Sequence, residues 1–145
     1  MQALNFPEFA FQIVEQEQKK LIFDKVRKKF IPLTPEEWVR QHCIEYLTLV
    51  LHIPTSRIAV ERGIKALKLN KRFDIVTFNQ IGQAEILIEC KAPHVEITQE
   101  TILQAAVYNK TVHSSKLWIT NGINHVWLEI INGELTRLPL PTTGY

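Results

Sequence analysis

Two apolar-rich runs, 73–78 and 85–90, flank a short polar segment containing Gly82, and each run carries a carboxylate. The pattern predicts a β-hairpin. Side chains alternate faces along a strand, so Glu89 and Lys91 share one face while Cys90 points to the other, and Asp74 shares its face with Arg72 and Val76. A two-residue turn at Ile81 and Gly82 would set position 80 opposite 83. The same register sets Asp74 opposite Glu89, with Cβ atoms about 5 Å apart.

Two carboxylates facing each other inside an apolar hairpin repel unless a cation lies between them. Lys91 can supply that charge. A divalent cation is the alternative, because Mg²⁺ takes one or two protein carboxylates and keeps waters and phosphate oxygens for its remaining positions. The plainer reading is a surface ion pair of Lys91 with either acid. On the repulsion argument, removing either acid is expected to leave metal-free stability unchanged or higher.

The 145 residues are enough for one domain with a real core, and a 46% hydrophobic, 22% charged composition excludes disorder as the reading. A net charge of +2 permits nucleic-acid binding without arguing for it, but the cations are clustered. Arg62, Lys65, Lys68, Lys71 and Arg72 crowd the segment ahead of Asp74, where they would line the route of a phosphate backbone or form a solvated loop. The basic run 25–29 reads mainly as a solvated edge that deters strand addition. Cys43 and Cys90 are far apart and lack metal-ligand spacing, which suggests reduced core residues of a cytoplasmic protein. No signal peptide and no apolar run of membrane length is present, so no membrane partner is expected.

Further along the chain, 9–15 and 20–24 read as paired strands. Thr34, Pro35 and Glu37 form a helix start with a capping box. That helix is expected to reach about Leu51, burying Trp38, Cys43, Tyr46, Leu47 and Val50. Ile58 and Val60 suggest a strand. Thr98 caps a second helix, 99–109, in which Gln104 and Tyr108 share a face; Ile102, Ala105, Ala106 and Leu103 or Val107 form its buried side. Strands at 117–120, 126–131 and 134–138 follow, joined by Asn121-Gly122 and Asn132-Gly133 turns. His42 and His52 have no ligand spacing, and His113 and His125 read as loop or turn residues. The order predicts an α/β architecture, a mixed sheet with helices packed on it.

An acidic helix, then Asp74, then Glu89-Cys90-Lys91, then Gln104 and Tyr108 on a helix resembles the PD-(D/E)xK nuclease superfamily. More narrowly, the chain is similar to the N-terminal nuclease domain of type I restriction enzyme R subunits. LTPEEWVRQ (33–41), RFDIVTF (72–78), LIECKAP (87–93), QAAVY (104–108) and ITNG (119–122) carry the likeness. The resemblance implies a restriction-endonuclease-like mixed β-sheet core over 33–138, preceded by an extension, 1–32, expected to hold strands. It implies that Asp74 and Glu89 hold Mg²⁺, replaceable by Mn²⁺, with the Cys90 carbonyl as a further ligand. Lys91 would position or deprotonate the attacking water, and Gln104 and Tyr108 would help place DNA. Glu37, ahead of Glu45, would match a helix glutamate contributed by some members. Phe73 stands where the signature places proline. The implied activity is Mg²⁺-dependent DNA endonuclease; the alternative is a nuclease-fold DNA-binding or assembly module inactive without partner subunits. R subunits continue into an ATP-driven motor, and these residues contain no GxxxxGK[ST]. A motor or specificity subunit in trans is therefore an expected partner.

Overall fold

Two sheets and two principal helices organise the residues described by the computed structural model, 1–61 and 73–143. Strands β1 (Ile13–Gln16), β2 (Lys19–Asp24) and β3 (Lys29–Pro32) form a small antiparallel sheet. Glu17 and Gln18 both have positive φ, the twist that a tight two-residue hairpin requires. Helix α1 (Pro35–Glu45) follows. It passes into a π-helical turn, Tyr46–Val50, where Leu51 N–H donates to the Tyr46 carbonyl at 3.1 Å. The main sheet has the order β4 (Ile58–Val60), β5 (Ile75–Phe78), β6 (Ala84–Cys90), β7 (Lys116–Thr120), β8 (His125–Ile131), β9 (Glu134–Leu138). Helix α2 (Gln99–Val112) connects β6 to β7, the parallel pair in an otherwise antiparallel sheet, as a crossover must. This is the expected α/β fold with a mixed sheet.

The two helices cover opposite faces of the sheet. Ile86, Ile88 and Cys90 pack with Val39, Cys43 and Leu47 on the α1 side. Leu87 turns the other way and packs with Ala105 and Tyr108 of α2. Because both faces are covered, the central strands are nearly continuous apolar runs rather than alternating ones. The exceptions in β6 are Glu85 and Glu89, both partly exposed.

Several expectations change in detail. Helix α1 buries Val39 and Ile44 fully, while Trp38 and Val50 are only half-buried. On α2, Leu103 and Val107 are 56% and 62% exposed, leaving the small residues to face the sheet. Strand β1 begins at Ile13 rather than at Phe9. Phe9 and Phe11 instead join Phe6 around the buried His42 ring, with centroids 4.7–6.1 Å away. His125 opens β8 and is no loop residue: its Nε2 donates to the Asn5 carbonyl at 2.8 Å, since a carbonyl oxygen can only accept. The Asn121-Gly122 connection spans four residues, 121–124, between β7 and β8.

That connection clamps the N-terminal segment. Asn5 N–H donates to the Gly122 carbonyl at 2.7 Å, and a Cβ on Gly122, at φ +85°, would stand 2.9 Å from Leu4 and 3.1 Å from Val39. Gly82 has nearly the same φ, +82°, but nothing within 4 Å. Gly82→Ala should therefore cost only the backbone term, about 1 kcal/mol. Gly122→Ala should cost more, about 2–3 kcal/mol, and loosen the N-terminal segment. Urea unfolding of both variants, with hydrogen exchange at the Asn5 N–H reporting the segment through its bond to the Gly122 carbonyl, checks the difference.

Candidate active site

The β5–β6 register pairs Val76 with Leu87 and Ile75 with Ile88. One step further along the same register, Asp74 falls opposite Glu89. The frame of the observed pairs agrees with the expected one, but it is reached by a different route. The turn closes one residue wider than predicted, with Asn79 N–H donating to the Gln83 carbonyl at 2.8 Å and Gly82 N–H to the Asn79 carbonyl at 3.0 Å. An irregularity between Thr77 and Phe78 pairs Phe78 with Ala84 but Thr77 with Ile86, leaving Glu85 as an extra residue. The bulge restores the frame that the wider turn had shifted.

Asp74 precedes β5, and its backbone carbonyl continues the β4–β5 ladder by accepting from Glu61 N–H at 2.8 Å. Its side chain is 18% exposed and both oxygens are engaged: Oδ2 accepts from Cys90 N–H at 2.8 Å and Oδ1 from Arg40 Nη2 at 2.9 Å. Arg40 also pairs with Glu37 at 2.8 Å, Glu36 at 3.0 Å and Glu61 at 3.2 Å, and is only 3% exposed. A second arginine, Arg27, bonds Asp24 at 2.7 Å, Glu37 at 2.9 Å and Glu61 at 2.9 Å. Gln41 Nε2 donates to both Asp24 and Glu37, at 2.9 and 3.0 Å. Acids and arginines alternate through this network, and its buried acids, Asp24 and Glu37, are paired and hydrogen-bonded, which offsets the cost of taking them out of water.

These contacts change the reading of several residues. Thr34 Oγ1 caps α1 by accepting from Glu37 N–H at 3.0 Å, but the Glu37 carboxylate turns inward to Arg27, Arg40 and Gln41, leaving the capping box half-formed. Glu45 pairs with Lys25 at 2.8 Å. The Asp74 carboxylate also satisfies a buried arginine, a partner that the repulsion argument leaves out. Asp24, Arg27, Arg40, Gln41 and Glu61 were not singled out from the sequence. The spacing of Arg40 from Glu36 and Glu37 marks local helix pairs, but its bond to Asp74 spans 34 residues.

Glu89 and Lys91 lie on the α2 side, lining a small pocket of about 20 Å³ with Thr101, Gln104 and Ala105. That volume suits about one water. Gln104 is exposed on the rim, and Tyr108 is buried one turn further along the same face. Burial pushes the Tyr108 phenol pKa up, and the charges of Glu89 and Asp74 push it further, so it stands as a neutral donor within electrostatic reach of both acids. Behind the strand, Cys90 Sγ lies 3.9 Å from Cys43 Sγ, and both thiols are buried and reduced. The hydrogen bond to Cys43 and burial raise the Cys90 pKa well above the ordinary thiol value. Its side chain is a packing group; its backbone N–H reaches Asp74. Beyond the strand, Lys91 N–H donates to the Thr120 carbonyl at 2.8 Å, and the buried Asn121 side chain donates to the Val95 carbonyl at 2.9 Å, fixing the exit of β6.

The donor set is all oxygen and suits a hard cation. Each carboxylate oxygen of Asp74 has a second lone pair beyond its present bond, and the Cys90 carbonyl leaves the strand on the same edge as its N–H. Among the described residues, no group of three or more His, Cys, Asp and Glu side chains could hold an ion. Arg62, Lys65, Lys68, Lys71 and Arg72 lie outside the described residues.

The network makes an acid-stability prediction. Burial alone would raise the Asp24 pKa, but bonds from Arg27 and Gln41 outweigh it and hold the pKa below its ordinary 3.8. The unfolded chain therefore binds the proton more readily than the native one, and the stabilisation is fully present above about pH 4 and lost as pH falls through the native value. Equilibrium unfolding from pH 6 to pH 2 should show this acid limb, and Asp24→Asn should flatten it at some cost in stability at pH 6.

A family model described as the type I restriction enzyme R protein N terminus matches residues 35–140. No curated protein and no solved structure matches the chain.

Proposed function

The chain belongs to the family of type I restriction enzyme R protein N-termini, and on that premise we propose that it is a Mg²⁺-dependent DNA endonuclease centred on Asp74, Glu89 and Lys91. The observation that carries this reading is the β5–β6 register, which runs Asp74 opposite Glu89 at the open end of the hairpin, with Lys91 on the same face as Glu89.

Asp74 and Glu89, with the Cys90 carbonyl, would hold the ion. When bound, Mg²⁺ supplies Lewis acidity toward a phosphate oxygen and lowers the pKa of a coordinated water. Lys91 adds a fixed positive charge where negative charge develops on the phosphate, and its ammonium steers the attacking water. Gln104, on the exposed rim, and Tyr108, held as a phenol donor, orient the phosphodiester. Glu37 acts from beneath, through its bonds to Arg27 and Arg40. The cations from Arg62 to Arg72 precede Asp74 in the chain and supply phosphate contacts.

Asp74→Asn, Glu89→Gln and Lys91→Ala should each lower Mg²⁺-dependent nicking of plasmid DNA by at least about 10²–10³-fold, and EDTA should abolish it in the unaltered protein. Asp74→Ala should also lower the melting temperature, because Arg40 loses a partner. Gln104→Ala and Tyr108→Phe should reduce cleavage with melting temperature and metal affinity nearly unchanged. Wild-type cleavage by the Asp74 and Glu89 variants would refute the assignment. A protein that binds Mn²⁺ and DNA yet cuts only with partner subunits added would instead be the assembly module.

DNA affinity should fall steeply with salt, with a logarithmic slope of about −0.9 per duplex phosphate neutralised. Lys65→Gln with Lys68→Gln should make the slope shallower by up to about 2. An unchanged slope would remove the segment from the interface.

A further inference from the structure

We infer that Arg40 is a positioning residue for Asp74, holding the carboxylate in the orientation that receives a divalent cation; this rests on the proposed function. Asp74 sits just outside its strand, where a lone carboxylate would rotate freely. Two donors from different directions prevent that: Cys90 N–H on Oδ2 at 2.8 Å and Arg40 Nη2 on Oδ1 at 2.9 Å. Together they define the carboxylate plane and leave one lone pair on each oxygen. Arg40 is itself fixed. Its Nη1 is held by Glu37, its Nη2 is shared with Glu36 and Glu61, and Glu37 is held in turn by Arg27 and Gln41. Behind these stands Asp24, fully buried and bonded to both Arg27 and Gln41. Orientation thus passes from the β2–β3 turn through α1 to the site.

The acids around Arg40 also answer an electrostatic difficulty. A guanidinium beside a metal ligand is repelled by the arriving cation. Glu36, Glu37 and Glu61 together hold it in place against that repulsion. A merely electrostatic neighbour and a positioning residue then predict opposite signs. If Arg40 acts only through its charge, removing it should tighten metal binding. If it orients Asp74, removing it should weaken binding although a positive charge has gone.

The test is calorimetric titration of Mn²⁺ into the full chain and into Arg40→Met and Arg40→Lys, with melting temperature and circular dichroism recorded in parallel. Both variants should bind Mn²⁺ about 10–100-fold more weakly, the usual effect of losing a residue that orients a ligand. Lysine should fail to rescue because a point charge cannot span Glu37 and Asp74 as the planar fork does. Equal or tighter binding by a folded Arg40→Met, or wild-type binding by Arg40→Lys, would overturn the inference. Should Arg40→Met not fold, Arg40→Lys, which retains the buried charge, decides alone. Wild-type protein that binds no Mn²⁺, or binds it equally after Glu89→Gln, would refute the proposed function and this role with it. Binding lost in Glu89→Gln but kept in Arg40→Lys would overturn the role of Arg40 alone.

Discussion

Arg40 is the charge on which this arrangement turns. It is buried on α1, one helical turn from Glu36 and Glu37, and reaches both sides of the β4–β5 connection at Glu61 and Asp74. A buried guanidinium without carboxylates would be prohibitively costly, so its place dictates where the acids must converge. Helix, strand ends and the turn between β2 and β3 are drawn together at one point. Arg27 repeats the pattern one layer out, and losing either arginine removes a partner from several acids at once. The Arg40 Nε is buried and has no hydrogen-bond partner among the described residues, so its terminal nitrogens carry the whole compensation.

The network joins regions with different standing in the family. The matched region, 35–140, contains Glu36, Glu37, Arg40, Gln41, Glu61 and Asp74, whereas Asp24 and Arg27 precede it. The small sheet is therefore more than an appendage, because its β2–β3 turn delivers Arg27 to Glu37 and Glu61. The N-terminal segment makes a separate attachment, through aromatic rings around His42 and a backbone bond at Gly122. Both additions brace the α1 side of the sheet and leave the α2 side, with Glu89, Lys91 and Gln104, open at the pocket rim.

That division of faces has a chemical consequence. On the α1 side the charges are paired with one another. On the α2 side Glu89, Lys91 and Tyr108 border a pocket of about one water's volume. Asp74 belongs to both: its register places it across from Glu89, while its oxygens are held from the α1 side.

The sequence by itself determined the elements and the pairing across the hairpin. Strand alternation and a turn around Gly82 are local effects, acting over a few bonds, and the register they imply runs on to set Asp74 opposite Glu89. The route itself is not legible there, because a wider turn and a bulge at Glu85 shift the register in opposite senses and cancel, and neither leaves a mark in the apolar pattern. Spacing presents Glu37 as a cap for the same reason: it describes a residue's neighbours along the helix and not what lies across from it. Only the tertiary structure decided that Glu37, Arg40 and Asp24 are buried together, that Leu103 and Val107 face outward, and that His125 holds the N-terminal segment. Those outcomes depend on which surfaces of distant segments meet. Burial strengthens a charge pair by removing the water that would screen it, and burial is a property of the packed molecule that no window of sequence contains.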